Sequence, residues 1–328
     1  MARYIATRIL YMIPTIILIS IVSFMIIQLP PGDYLSTMVA RYAETGEQLS
    51  QEAMIRLRER YGLGEPMIVQ YWYWITNIVF RGDFGMSFAW GLPVSDLIWS
   101  RLGLTVLLSL STLFVVWIIA LTIGIYSAVN QYSIGDYVAT TIGFLGLAIP
   151  NFLLALVLMY LGYTLFGQSV GGLFSPQYEV APWSFGKFLD LLSNLWIPIL
   201  VLGTAGTASL IRETRANLLD EMRKPYVTTA RAKGLKERTV IMKYPVRIAL
   251  NFFVSAQATI LVTLISGEVI VSIVLSLPTT GPLLLGALMS QDMYLAASFI
   301  LMLSVLNVIS TLLSDIALTW LDPRIRYD

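Results

Sequence analysis

The 328 residues are 57% hydrophobic and only 12% charged, about half the charge of an average soluble domain, so the medium they suit is a lipid bilayer. Cysteine and histidine are both absent, which excludes disulfides, Cys or His metal centres and Ser-His or Cys-His catalytic pairs. A net charge of +1 gives no ground for a nucleic-acid partner, and without a G-x-x-x-x-G-K-[ST] run any nucleotide chemistry belongs to another chain.

Arg3 and Arg8 precede an apolar run from about Ile9 to Ile27, long enough at 1.5 Å per residue to cross a hydrocarbon core of about 30 Å. The run ends in QLPPGD with no small-residue cleavage site, so a retained anchor is expected. From Asp33 to Arg101 the chain is mixed and polar. In LSQEAMIRLRERYGL, Met54, Leu57 and Tyr61 recur at helical spacing, which predicts an amphipathic helix. The aromatic stretch that follows contains Trp72 and Trp74, expected at the headgroup level as interfacial anchors or, less simply, as stacking platforms.

Further apolar runs cover about Gly103 to Ala128 and Tyr137 to Phe166. Pro150 interrupts the latter; it lacks a backbone donor, while Gly146 permits close packing, so a kink and a helix contact are expected there. A kinked packing helix and a broken helix lining a cavity both fit Pro150 and Asn151. Gly167 to Ser193, with two prolines, reads as a loop, and a fourth span follows from about Leu195 to Ile211.

Arg212 to Asn251 is the basic segment of the chain. Pro225 and Gly234 bracket Tyr226 to Lys233 in the order expected when Pro fills the first turn of a short helix and Gly its left-handed C-cap. Thr228, Thr229, Ala230 and Ala232 are small and permit close approach by a partner, Arg231 and Lys233 complement the helix dipole, and Tyr226 with Val227 offers an apolar handle. A basic helix lying on anionic lipid fits the same charge pattern. A fifth span, about Phe252 to Leu277, is followed by a Pro/Gly-broken element, LPTTGPLLLGALMSQDMY, and by a sixth span from about Ala296 to Leu321. Glu268 and Asp315 fall inside these last spans, where an ionised group at mid-depth costs about 2.5 to 3.5 kcal/mol. A polar path lining and a structural hydrogen bond are both open for Glu268; for Asp315 the structural role is the simpler one.

Lysines and arginines at the N-terminus, in the basic segment and near the C-terminus fall on one side of a six-span arrangement, which predicts both termini in the cytoplasm. The chain accordingly divides into an N-terminal transmembrane helix (1–29), a partly helical extracytoplasmic loop domain (30–102) and a core transmembrane domain (103–328) with a cytoplasmic loop at 212–250.

Several segments also carry a family resemblance. YVTTARAKGLKERTV is similar to the cytoplasmic EAA loop of ABC importer permeases in the form used by the dipeptide/oligopeptide/nickel family; where the general loop opens Glu-Ala-Ala, this chain has Thr228, Thr229 and Ala230. RYIATRILYMIPTIILISIVSFMIIQLPPGD resembles the start of that family's B-type subunit, and Arg81-Gly82-Asp83-Phe84-Gly85 its RGDFGxS signature. LAIPNF looks like its LSIPSF segment, and the chain ends in a similar LDPRIR run. In the segment around Val269 to Asp292, Ser272 stands where the family often has Glu.

The resemblance implies an all-α polytopic membrane protein of about six transmembrane helices, the transmembrane domain of a type I ABC importer in a prokaryotic inner membrane. It implies no catalysis, metal or cofactor in this chain, with ATP and Mg in the partner subunits. The implied partners are a second homologous permease, two ATPase subunits and an extracytoplasmic solute-binding protein. Tyr226, Val227, Thr228, Thr229, Ala230, Arg231, Ala232, Lys233 and Gly234 would form the ATPase-coupling helix, and Pro150, Asn151, Glu268 and Ser272 would line the path. Di- and oligopeptides are the default cargo, with oligosaccharides or chelated nickel as alternatives. An ion-coupled carrier using Glu268 is the rival of another class.

Overall fold

Apolar runs bounded by proline, glycine and capping residues become helices, and the one extended pairing among the described residues is an isolated bridge between Met86 and Pro93. The computed structural model describes residues 2–28, 55, 65–87, 89–166, 171–251, 253–254 and 269–321. In chain order the helices are α1 (Ala2–Gln28), α2 (Met67–Arg81), α3 (Val94–Val129), α4 (Ile134–Ala148), α5 (Asn151–Phe166), α6 (Pro176–Glu179), α7 (Phe185–Asn194), α8 (Trp196–Met222), α9 (Pro225–Ala232), α10 (Glu237–Lys243), α11 (Val269–Val274), α12 (Thr280–Met289) and α13 (Met293–Leu321). Among the described residues, three stretches are long and apolar enough to cross a membrane, Ile5–Gln28, Val94–Val129 and Met293–Thr319, and counting each of two bent helix pairs as one span brings the number to five. The expected fifth span lies largely outside the described residues, as do Glu268 and the helix expected around Met54, Leu57 and Tyr61.

Contacts divide the chain into two units. In the unit formed by Ala6–Gly103 and Leu283–Val308, Phe24, Trp74, Val94, Ile98, Leu295 and Phe299 make the core. Trp74 is 4% exposed and lies 5.7 Å from Phe24 between ring centroids, whereas Trp72 is 66% exposed. The shared interfacial role expected of the two tryptophans is therefore corrected for Trp74: two positions apart on a helix, side chains diverge by about 200°, so one turns inward. Gly82 ends α2 in the left-handed region, at φ 63°. Gly85 lies under Tyr294, where a Cβ would stand 2.7 Å from Cδ1. The buried Asp292 accepts from Ser87 Oγ at 2.5 Å, from Ala89 N at 2.9 Å and from Leu295 N at 3.2 Å. Asp292 thus caps α13 and fixes the turn after the RGDFG run in one carboxylate.

The other unit, Met1–Ile5 with Leu104–Pro282 and Ile309–Asp328, holds the remaining elements. The kink expected at Pro150 is a break: α4 and α5 meet at 103°. Ile149, forced out of the helical region by the proline after it, is extended at φ −85° and ψ 122°. The helix contact expected at Gly146 is present, since a Cβ there would stand 2.7 Å from Thr204 Cγ2 on α8. The stretch Gly167 to Ser193, expected as a loop, contains the short helices α6 and α7 within its described residues. Lys187 supplies the reason, donating to the carbonyls of Ala181 at 2.6 Å and Glu179 at 3.4 Å with its ammonium 4.7 Å from the Phe174 ring centre. Helix α8 runs on past its apolar part to Met222, so the basic segment begins as a helix. Arg, Glu, Asn and Asp interrupt hydrophobicity there but not helical hydrogen bonding, and Pro225 then starts a new helix.

Candidate functional site: the α9–α10 helix pair

The two-helix element α9–α10 follows directly from local sequence. Lys224 is extended, Pro225 opens α9 where a missing N–H costs nothing, and Gly234 closes it at φ 74° with its N–H on the Arg231 carbonyl at 2.9 Å. Val227 and Ala230, three apart, are buried against Val240 of α10. Pro225, Thr228, Thr229 and Ala232 recur at i, i+3, i+4 and i+7 on the opposite side and are all exposed. The outward stripe is therefore one of small side chains, which lets another backbone come close. Thr229 Oγ1 is occupied by the Pro225 carbonyl at 3.0 Å, leaving its methyl outward.

Val227, expected in an apolar handle, is instead wholly buried, because helical spacing aligns it with Ala230 on the inner face. Tyr226 is half-buried, donates its hydroxyl to the Glu221 carboxylate and lies 6.3 Å from the Tyr244 ring. Burial, and then the Glu221 carboxylate, hold the Tyr226 hydroxyl well above the ordinary tyrosine range. Arg231 donates to Glu237 at 2.7 Å and so joins the end of α9 to the start of α10, holding the Glu237 carboxyl below its usual range. Both ends of that pair are exposed, so it orients the turn more than it stabilises it. Lys233 and Lys236 remain outward at the same turn.

Helix α10 has a second contact. While Val240 faces α9, Ile241 packs with Leu218 of α8, Ala128 of α3 and Val246. The outward stripe of α9 is thus backed by one apolar cluster, and α10 carries, at the next residue, a second cluster that includes residues of two long helices.

Of the residues expected along a path, Pro150 lies exposed at the α4–α5 break and Asn151 begins α5, half-buried. Ser272 is buried on α11, which packs on α5 through Ala155, Val271 and Leu275. Asp315 is half-buried on α13. An apolar cleft of about 450 Å³ opens between α3, α4 and α8, lined by Val116, Ile123, Gly143, Trp196, Thr204 and Thr207 among others, with no charged group in its wall.

Sequence reasoning missed one buried ion pair, Asp136 with Arg215. Both guanidinium nitrogens Nε and Nη2 donate to the carboxylate at 2.8 Å. Ser133-x-x-Asp136 is a capping box legible in the sequence, and Ser133 Oγ accepts from the Asp136 N–H at 3.2 Å. Nothing local points to a partner 79 positions away.

Residues 120–327 match the family described as "Binding-protein-dependent transport system inner membrane component", and residues 1–110 match the N-terminal component of such systems. The chain is 37% identical to the oligopeptide transport system permease protein AppB of Bacillus subtilis, over 100% of both chains. It is 32% identical to a putative peptide permease of Brucella ovis over 99% of both, and 30% identical to the dipeptide transport system permease protein DppB of Alkalihalophilus pseudofirmus over 100% of both.

Proposed function

Because the chain belongs to the family of inner-membrane components of binding-protein-dependent transport systems, we propose that it imports di- or oligopeptides as one half of a heterodimeric permease, driven by ATPase subunits that grip α9. The protein is an all-α, multi-pass permease subunit with the transmembrane domain of a type I ABC importer. Peptide cargo is supported by relatives that match end to end and are named for oligopeptide and dipeptide transport. Family membership also removes the ground for an ion-coupled carrier working alone.

One observation carries the coupling role: the exposed stripe Pro225, Thr228, Thr229 and Ala232 is backed by the buried Val227, Ala230, Val240 and Ile241. A partner that closes on the stripe pushes on a seated helix, and α10 delivers that push to α8 and α3. ATP and Mg sit in the partner subunits in this reading. The termini and α9 are cytoplasmic, residues 30–102 are extracytoplasmic, and Pro150, Asn151, Glu268 and Ser272 line the path.

Affinity purification of the chain from its native membrane tests the proposal. Recovery of a second permease, two ATPase copies and a solute-binding protein loaded with peptide is the expected result. A stable, monodisperse chain without partners overturns the assembly, and a binding protein loaded with sugar or a metal chelate overturns the cargo.

A further inference from the structure

Helices α4 and α8 touch in a regular antiparallel register: Asp136 meets Arg215, a Cβ on Gly143 would meet Ala208, and one on Gly146 would meet Thr204. The first index rises as the second falls by nearly the same step. Two of these layers are contacts of small residues, ordinary at Gly143 and tight at Gly146, with no directional bond between the side chains. The third has one, a bidentate guanidinium–carboxylate pair that fits one geometry only. Asp136 is 2% exposed, so parting the pair strands a buried carboxylate.

The same carboxylate holds the turn that leads into α4. Its Oδ2 accepts the N–H of Tyr132 at 2.9 Å, and Tyr132 stands at φ 66°, in the left-handed region that a non-glycine residue avoids. At the residue of α8 just before Arg215, α3 approaches so closely at Gly124 that a Cβ there would be 2.7 Å from Thr214 Cβ. One turn after it, Leu218 joins the Ile241 cluster that backs α9. Arg215 therefore lies on α8 between the end that receives the push from α9 and the length that carries α4.

We propose that Asp136 and Arg215 are positioning residues of the transport cycle. They lock α4 to α8, so that displacement of α9 moves α4, and with it the Ile149–Pro150 break, in register with α8 instead of slipping along the small-residue seam. The inference rests on the coupling role of α9.

The chain contains no cysteine, so spin labels placed by Ile134→Cys and Ala216→Cys, in a complex whose partner subunits have had their accessible cysteines replaced, report the α4–α8 register. In otherwise native complex the label distance is the same in the nucleotide-free and vanadate-trapped states. Arg215→Met is expected to assemble and hydrolyse ATP, yet to broaden or shift that distance on trapping. It should also lose most of the stimulation of hydrolysis by the solute-binding protein purified with its bound solute. Arg215→Lys, which keeps the charge but not the fork, restores both readouts in part. Where Arg215→Met fails to assemble, Asp136→Asn carries the same expectation. Unchanged distance and unchanged stimulation in the neutral variants overturn the lock. If a variant of α9 itself, Gly234→Val, also retains full stimulation, the coupling role falls; if only the Asp136 and Arg215 variants are silent, the lock alone falls.

Discussion

Gly234 sits at φ 74° with open space where a Cβ would project, so what a larger residue meets there is backbone strain and not a clash. Valine in the left-handed region costs roughly 1–2 kcal/mol, which the end of α9 escapes by unwinding its last turn. The expected outcome of Gly234→Val is normal membrane insertion with weakened recovery of ATPase subunits and reduced uptake; wild-type recovery together with wild-type uptake would sink the coupling role. Tyr226 offers a test by pH. Its folded pKa is raised, so its contribution is complete below the usual tyrosine value of 10.0 and is lost only as pH climbs above that. The tyrosinate absorbance of wild type minus Tyr226→Phe should rise later on alkaline titration than that of the remaining tyrosines. A difference curve centred on the ordinary range would show the hydroxyl free of Glu221.

At the scale of the element, α9 and α10 separate two kinds of residue that sequence alone lumps together. Val227→Ala removes about two buried methylene equivalents, roughly 1.6 kcal/mol at about 0.8 kcal/mol each, from the Val240 contact. Its effect should be on the seating of α9, visible as faster proteolysis of the 223–239 stretch, a readout that Thr228→Trp leaves alone. Thr228→Trp instead obstructs the outward stripe, and is expected to abolish ATPase recovery while the chain remains folded. The reverse pattern, with Val227→Ala blocking assembly and Thr228→Trp silent, would mean that the inner face is the docking face. The α4–α5 pair makes a related point. Proline predicts an interruption, but not whether it becomes a shallow kink or a 103° break, and here Ile149 leaves the helical region for the extended one.

For the whole molecule, the cysteine-free chain allows topology to be read one position at a time. Thr228→Cys is expected to react with an impermeant maleimide only from the cytoplasmic side, and Val180→Cys, at a site 95% exposed between α6 and α7, only from the other. Both labelled from the same side would break the six-span arrangement. Basic side chains concentrated on 212–251 set that expectation, since moving them across the bilayer is what the positive-inside preference opposes.

Composition and hydrophobic periodicity suffice to establish a polytopic helical membrane protein, and the Pro225 and Gly234 punctuation suffices to frame α9, because both depend on interactions within one turn or one span. Even the stripe of small residues on α9 follows from spacing. Which face turned inward did not: Val227 and Thr228 are both plausible contacts until α10 folds back and Val240 buries one of them. The same holds for Trp72 and Trp74, and for the loop that Lys187 organises by drawing two carbonyls and two aromatic rings around one ammonium. The pairs Asp136–Arg215 and Ser87–Asp292 span 79 and 205 positions. Charge and hydrogen-bonding partners at such separations are chosen by helix packing, which brings the helices together through close contacts at Gly124 and Gly146, and no local pattern records that choice.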